Sequence, residues 1–156
     1  MSYQFNDGGR KEAGYKGKAG DCVCRAICIV TGKPYDEVYK RLAQGTGSQP
    51  SGKRGKRSAS ARNGISVTRK WFKDYMAELG LTWVPTMGIG TGCKVHLTAS
   101  ELPLGRLIVS VSKHYTTMID GVIHDTFDPR RETYITEADG STRVSRRCVY
   151  GYWVKK

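Results

Sequence analysis

The fold is decided by the stretch Gly20-Asp21-Cys22-Val23-Cys24-Arg25-Ala26-Ile27-Cys28-Ile29-Val30-Thr31-Gly32, which encodes a short apolar helix that starts at a cysteine. We expect Asp21 to cap this helix with its carboxylate and Gly32 to end it in the left-handed conformation. Cys22 then occupies the first helical position, where oriented amides and the positive end of the helix dipole favour the thiolate. The stretch therefore predicts a nucleophile that needs a base from elsewhere in the chain.

The same helix carries an apolar stripe that is expected to face the core. Its members recur at three- and four-residue spacing and are Val23, Ala26, Ile27 and Val30. Cys24 and Cys28 lie one turn apart beside the stripe, so we interpret them as buried small hydrophobic residues rather than reactive groups. Cys22, at the rim of the helix, is the better nucleophile.

Length and composition favour a folded globular domain over a disordered or membrane-spanning chain. The 156 residues, 38% of them hydrophobic, are expected to form one domain covering 1–156. No apolar run approaches membrane-spanning length, and residues 1–7 carry neither a basic leader nor an apolar signal core, which predicts a cytosolic location. Five cysteines are an odd number, which favours free thiols in a reducing compartment.

The formal net charge of +12 predicts some affinity for polyanions. Much of it lies in or just after residues 46–64, a Gly-, Ser-, Lys- and Arg-rich segment that we interpret as a basic, flexible insertion. Its candidate polyanion contacts are Lys53, Arg54, Lys56 and Arg57. Nucleic-acid binding is therefore an alternative function, although the segment 52–70 lacks aromatic residues for base stacking.

The rest of the chain predicts an α+β fold in which N-terminal helices pack on a C-terminal antiparallel sheet. A turn-rich arm, 1–21, precedes the first helix. Further helices are expected over 34–44, ended by Gly45, and over 66–79. Strands are expected over 82–85, 106–112, 114–119, 122–127 and 146–154, and the polar segment 128–145 is expected to be a loop.

The dipeptide Asp120-Gly121 is a strong signal for a two-residue hairpin. Counting back from this turn places Thr116 opposite Asp125 and His114 opposite Phe127. Side chains alternate between the two faces of a strand, so His114 and Asp125 are expected on the same side and within reach of each other. The register favours Asp125 over Asp128 as the carboxylate that holds the imidazole.

The order Cys, His, Asp resembles that of the papain-like cysteine peptidase superfamily. The resemblance rests on Gly20-Asp21-Cys22 opening a helix, Ser112-Lys113-His114-Tyr115 heading a strand and His124-Asp125-Thr126 ending the next. The Asp-Cys step and Asp128-Pro129 are similar to bacteriocin-leader peptidases, whereas Asp-Thr after a hairpin is similar to small-modifier isopeptidases. The Gly-Asp-Cys and Ile-Asp-Gly-Val-Ile-His-Asp stretches also resemble uncharacterised phage and bacterial proteins.

This resemblance implies a hydrolase that cleaves an amide bond in a peptide or protein through Cys22, His114 and Asp125, without a metal or cofactor. Asp128 stays an alternate acid. The glutamine that such peptidases carry before the cysteine is missing, so the oxyanion hole would use the Cys22 amide with Gln4, Asn6 or Lys16.

A metal site is a further alternative. Cys22-Val23-Cys24 and Cys93-Lys94-Val95-His96 offer soft ligands in two short clusters, but Cys-x-Cys suits zinc less well than Cys-x-x-Cys.

Overall fold

A computed structural model describes residues 2–16, 20–48 and 65–155 of the chain. Three helices and ten strands lie within these ranges. The helices are α1 (Cys22–Thr31), α2 (Tyr35–Ser48) and α3 (Lys70–Glu78). The strands are β1 (Ser2–Phe5), β2 (Leu81–Pro85), β3 (Val95–His96), β4 (Arg106–Val111), β5 (His114–Ile119), β6 (Val122–Asp125), β7 (Thr133–Thr136), β8 (Thr142–Ser145), β9 (Cys148–Val149) and β10 (Gly151–Lys155).

The fold is α+β and is built on a six-stranded sheet with the order β1-β6-β5-β4-β10-β2. The sheet is mixed rather than antiparallel, because β1 pairs with β6 in parallel while the other neighbours are antiparallel. The prediction of a purely antiparallel sheet is wrong at this edge. The first residues of the arm form a strand there, since the exposed edge of β6 offers backbone partners that no local pattern reveals.

The segment 128–145 is also more ordered than its polarity predicts. It contains the hairpin β7–β8, whose strands pair from Thr133 with Ser145 to Thr136 with Thr142. Asp139-Gly140, with a φ of 86° at the glycine, lies in the connecting turn. The turn dipeptide was therefore a usable signal, and the prediction of a plain loop is wrong.

Helix α1 lies on the sheet and supplies one hydrophobic core. The expected stripe is buried together with Cys24 and Cys28, and it packs with Ile108, Tyr115 and Trp153 from the sheet. Gly32 follows the helix with a φ of 74°, in the left-handed region that was predicted for it. The contacts of α1 are mainly with β5, so the start of the helix is placed beside the start of that strand.

The opposite side of the sheet has a second core. Alternation along β4 and β5 directs Leu107, Val109 and Met118 there, away from Ile108 and Tyr115. Leu97 and Val149 from the flanking segments cover these side chains. Both faces of the central strands are thereby buried, which holds the ends of β5 and β6 in a fixed position.

Helix α2 continues past Gly45 to Ser48, so the prediction that Gly45 ends the helix is wrong. The glycine instead makes room for an aromatic ring, because a Cβ at this position would lie 2.3 Å from Cε3 of Trp71. Residues 46–48, assigned to the basic insertion, are thus helical. The remainder of that insertion, with Lys53, Arg54, Lys56 and Arg57, lies outside the described residues.

Two cysteines depart from the prediction of free thiols. Cys93 and Cys148 form a disulfide that ties the loop before β3 to β9, across 55 residues of sequence. Cys22, Cys24 and Cys28 are free. Spacing could not reveal this bond, because the two cysteines meet only after β3 and β9 pair.

Among the described residues, no helix has the length and apolar character needed to cross a membrane.

Candidate active site

Asp21 is buried in front of Cys22 and anchors the start of α1 in a way that differs from the predicted cap. Its carboxylate makes no capping bond to the helix amides. It pairs instead with Arg10 at 3.2 Å and with Arg25, and it accepts a 2.5 Å hydrogen bond from the Tyr35 hydroxyl. A buried carboxylate is stable only with such partners, so two arginines and a tyrosine use the oxygens that would otherwise cap the helix.

The free thiol of Cys22 is half-buried at the first position of α1. The His114 imidazole and the backbone N–H of Tyr115 lie close enough to the sulfur to lower the pKa of the thiol. Burial alone would raise this pKa, but these two groups and the charge of Arg25 lower it below its ordinary value. The surroundings therefore favour a thiolate.

His114 is the first residue of β5 and follows a tight turn from β4. The turn residue Lys113 has a φ of 55°, and Val111 pairs with His114 across it. The imidazole is mostly buried, with its side chain 11% exposed. Its Nε2 lies 2.7 Å from Oδ2 of Asp125. The other ring nitrogen, Nδ1, is therefore the one that can exchange a proton with Cys22.

Asp125 ends β6 and is buried beside His114. Its Oδ2 also accepts a 2.7 Å hydrogen bond from the Thr116 hydroxyl, and its Oδ1 accepts one of 2.7 Å from the amide of Thr126. Burial raises the pKa of this carboxyl, yet the bonds from His114 and Thr116 outweigh burial and lower it. The group is thus held as a carboxylate against the imidazole.

This arrangement favours the protonated form of the His114 imidazole. Burial would lower the His114 pKa, but its hydrogen bond to Asp125 and the neighbouring Cys22 sulfur raise it to about 9. A lowered thiol pKa next to a raised imidazole pKa favours a thiolate and imidazolium pair at pH values between the two. Such a pair contains both a nucleophile and a proton donor.

The hairpin register follows the sequence prediction. Ile119 pairs with Val122 across Asp120 and Gly121, whose φ angles of 48° and 83° are both positive. This geometry places Asp125, and not Asp128, against the imidazole. The Asp128 carboxylate is half-exposed and is held by Arg130 at 2.5 Å.

Arg25 is the residue of the site that sequence reasoning missed. It lies one turn after Cys22, is buried, and connects Asp21 with Asp125, whose Oδ1 is 3.6 Å from its Nη2. The available signal was a lone arginine inside an otherwise apolar helix, since a buried charge requires partners.

The three predicted oxyanion donors lie near this region, but the structure shows no hydrogen bond from them to Cys22 within its described ranges. Asn6 lies 3.4 Å from His124 through its side-chain nitrogen and accepts a bond from Gly8. Gln4 is exposed on β1, and Lys16 is exposed within the arm. The α1 N-terminus, where helix amides point outward, is the better donor.

The alternative metal set is not assembled. Cys93 is bonded to Cys148, and Cys24 is fully buried in the helix core. The ranges described contain no group of three or more His, Cys, Asp or Glu side chains that could hold a metal ion.

Comparison with protein families, curated proteins and solved structures finds no match for this chain. Function is therefore inferred from the site itself.

Proposed function

We propose that this chain is a papain-like thiol acyl-transfer enzyme, a cysteine peptidase or isopeptidase that acts on an amide bond of a peptide or protein. The observation that supports the proposal is the 2.7 Å hydrogen bond between His114 and Asp125 beside the Cys22 thiol, whose pKa the imidazole lowers. A helix start and a hairpin thereby bring together a nucleophile, a base and an orienting carboxylate, which are the groups of nucleophilic catalysis.

In the proposed reaction, the Cys22 thiolate attacks the carbonyl carbon and forms a tetrahedral intermediate. The amides at the start of α1 stabilise its oxyanion. The His114 imidazolium then donates its proton to the leaving amine, the C–N bond breaks, and a thioester remains on Cys22. His114, now neutral, takes a proton from water or from an acceptor amine as its oxygen or nitrogen bonds to the thioester carbon. The C–S bond then breaks, which releases the acid or the new amide and restores the Cys22 thiolate beside protonated His114.

Asp125 has an orienting role in this scheme. Its carboxylate holds Nε2 of His114 and stabilises the charged ring, while Thr116 holds the carboxylate. The packing of the Phe127 ring on the imidazole, with centroids 5.0 Å apart, partly shields the pair from water. No cofactor enters the proposal, and the cytosolic location stays a prediction.

The test is reaction with a peptide p-nitrophenyl ester, followed by intact mass measurement and mapping of the modified residue. We expect an acyl group on Cys22, together with release of p-nitrophenol. Cys22→Ala should abolish acylation and His114→Ala should slow it by at least about a hundredfold. His124→Ala is the matched control, since this histidine lies on β6 and contacts Asn6 rather than the thiol.

Acylation of Cys24 or Cys28 at a similar rate would contradict the proposal. Equal rates in His114→Ala and His124→Ala would also contradict it, because an ordinary accessible thiol does not need a particular imidazole.

A further inference from the structure

A cleft of about 850 Å³ opens between the N-terminal arm and the end of β6. Its apolar walls come from Phe5, Tyr15 and Phe127. Phe5 and Phe127 are 65% and 49% exposed, an unusual degree for two phenylalanines that line one cleft. The cleft thus has an aromatic lining that no part of the described chain covers.

The cleft adjoins the proposed reaction centre. The ring of Phe127 packs on the imidazole of His114, with a centroid separation of 5.0 Å. Asp21 and Arg25, which line its inner end, flank Cys22 in the sequence. Cys22 and His114 are not among the residues that line the cleft, so a group held against Phe127 is separated from the imidazole by that ring and occupies a neighbouring subsite.

The inner charges of the cleft are neutralised within the protein. Arg10 pairs with Asp21 and donates a 2.7 Å hydrogen bond to Tyr35, while Arg25 pairs with Asp21 and Asp125. These four charges balance one another and need no ligand.

The rim is different, because it carries two exposed lysines, Lys11 and Lys16. Neither ammonium forms an ion pair with a carboxylate among the residues described. The one acid at the rim, Asp7, accepts hydrogen bonds from the amides of Gly9 and Lys11 through its two oxygens. The rim therefore carries two ammonium groups against one carboxylate, and this net positive charge attracts an anionic group.

We infer that this cleft binds the part of a peptide substrate in which an aromatic side chain is flanked by acidic residues. This inference rests on the proposed function for its biological meaning, but binding can be measured without catalysis. The aromatic side chain fills the space between Phe5 and Phe127, and the carboxylates contact the ammonium groups of Lys11 and Lys16.

The experiment uses calorimetric titration of the Cys22→Ala protein with three capped tetrapeptides. Their sequences are Asp-Phe-Asp-Ala, Lys-Phe-Lys-Ala and Asp-Ala-Asp-Ala. We expect the first to bind at least about tenfold more tightly than either of the others. Lys11→Gln with Lys16→Gln should remove the preference over the lysine peptide, and Phe5→Ala should reduce the preference over the alanine peptide.

The matched control removes the same charge elsewhere through Lys70→Gln with Lys73→Gln, on exposed positions of α3. It should leave both preferences unchanged. Equal binding of the three peptides would overturn the inference. Equal losses in the two double variants would also overturn it, since attraction to the net charge of +12 would then account for binding.

The two proposals can fail separately. If acylation of Cys22 depends on His114 but the three peptides bind equally, the enzymatic proposal is supported and the cleft proposal is rejected. If the peptides bind selectively but Cys22 is not acylated in this way, the cleft proposal is supported and the enzymatic proposal is rejected.

Discussion

The guanidinium of Arg25 lies 3.6 Å from the carboxylate of Asp125 and joins it to Asp21, the residue before the proposed nucleophile. One buried side chain thereby ties the start of α1 to the end of β6. The two elements that carry Cys22 and Asp125 are held in register by this charge network as well as by core packing.

Replacing Arg25 should affect both stability and reactivity. Arg25→Met leaves two buried carboxylates with fewer partners, so we expect the free energy of unfolding to fall by about 3–5 kcal/mol. Because the Arg25 charge helps to lower the pKa of Cys22, alkylation by iodoacetamide should also shift to higher pH. Denaturant titration and alkylation rates measure the two effects.

The control for this variant is Lys33→Met, which removes an exposed pair with Glu37. Exposed pairs of this kind contribute about 0–1 kcal/mol, and the alkylation profile should not change. An unchanged alkylation profile in a folded Arg25→Met protein would show that the arginine has only a structural role.

Replacing Asp125 and replacing Asp128 should have different effects on the rate of Cys22 acylation. Asp125→Asn removes the charge that holds the His114 imidazolium, so acylation of Cys22 should slow by at least about tenfold. Asp128→Asn affects only the pair with Arg130 and should change the rate by less than about twofold. Ester acylation rates provide the comparison, and the reverse order would make Asp128 the orienting acid.

The pH dependence of Cys22 alkylation should reveal the ion pair. The pKa of the thiol is lowered, so the rate should rise with pH and reach half of its maximum below the range of an ordinary cysteine. Acylation and amide release also need a protonated His114, whose pKa is about 9, and should decline above that pH. A thiol with the same profile in His114→Ala would contradict the pairing.

The close contact between Gly45 and Trp71 predicts a cost for a single methyl group. A Cβ at position 45 would lie 2.3 Å from the indole, so the overlap in Gly45→Ala should lower the free energy of unfolding by about 1–3 kcal/mol. The higher helix propensity of alanine should offset about 1 kcal/mol of this loss. Gly88→Ala is the control, because its Cβ would be an ordinary 3.6 Å from Thr91. Thermal unfolding of both variants measures the difference.

The disulfide predicts the number of reactive thiols. Protein unfolded without reductant should titrate as three thiols per chain, from Cys22, Cys24 and Cys28, and as five after reduction. Closure of a 55-residue loop should contribute about 4 kcal/mol, so reductant should lower the melting temperature of the wild-type protein but not that of Cys93→Ser. Five thiols without reductant would contradict the bond.

Sequence patterns sufficed where the physical cause is local. The spacing of apolar residues predicted the buried stripe of α1, and Asp120-Gly121 predicted the register of β5 with β6, because periodicity and turn conformation depend on neighbouring residues. That register was enough to choose Asp125 over Asp128 as the partner of His114. The β7–β8 hairpin had a similar signal in Asp139-Gly140, which the polar composition of the segment obscured.

By itself, the sequence determined an α+β chain with a cysteine at a helix start and an imidazole within reach of a carboxylate. Only the tertiary structure decided that β1 adds in parallel to β6, that Arg25 joins Asp21 to Asp125, and that Cys93 bonds Cys148. These features depend on groups far apart in the chain. Their pairing energies exist only after the sheet and α1 have packed, so no local pattern encodes them.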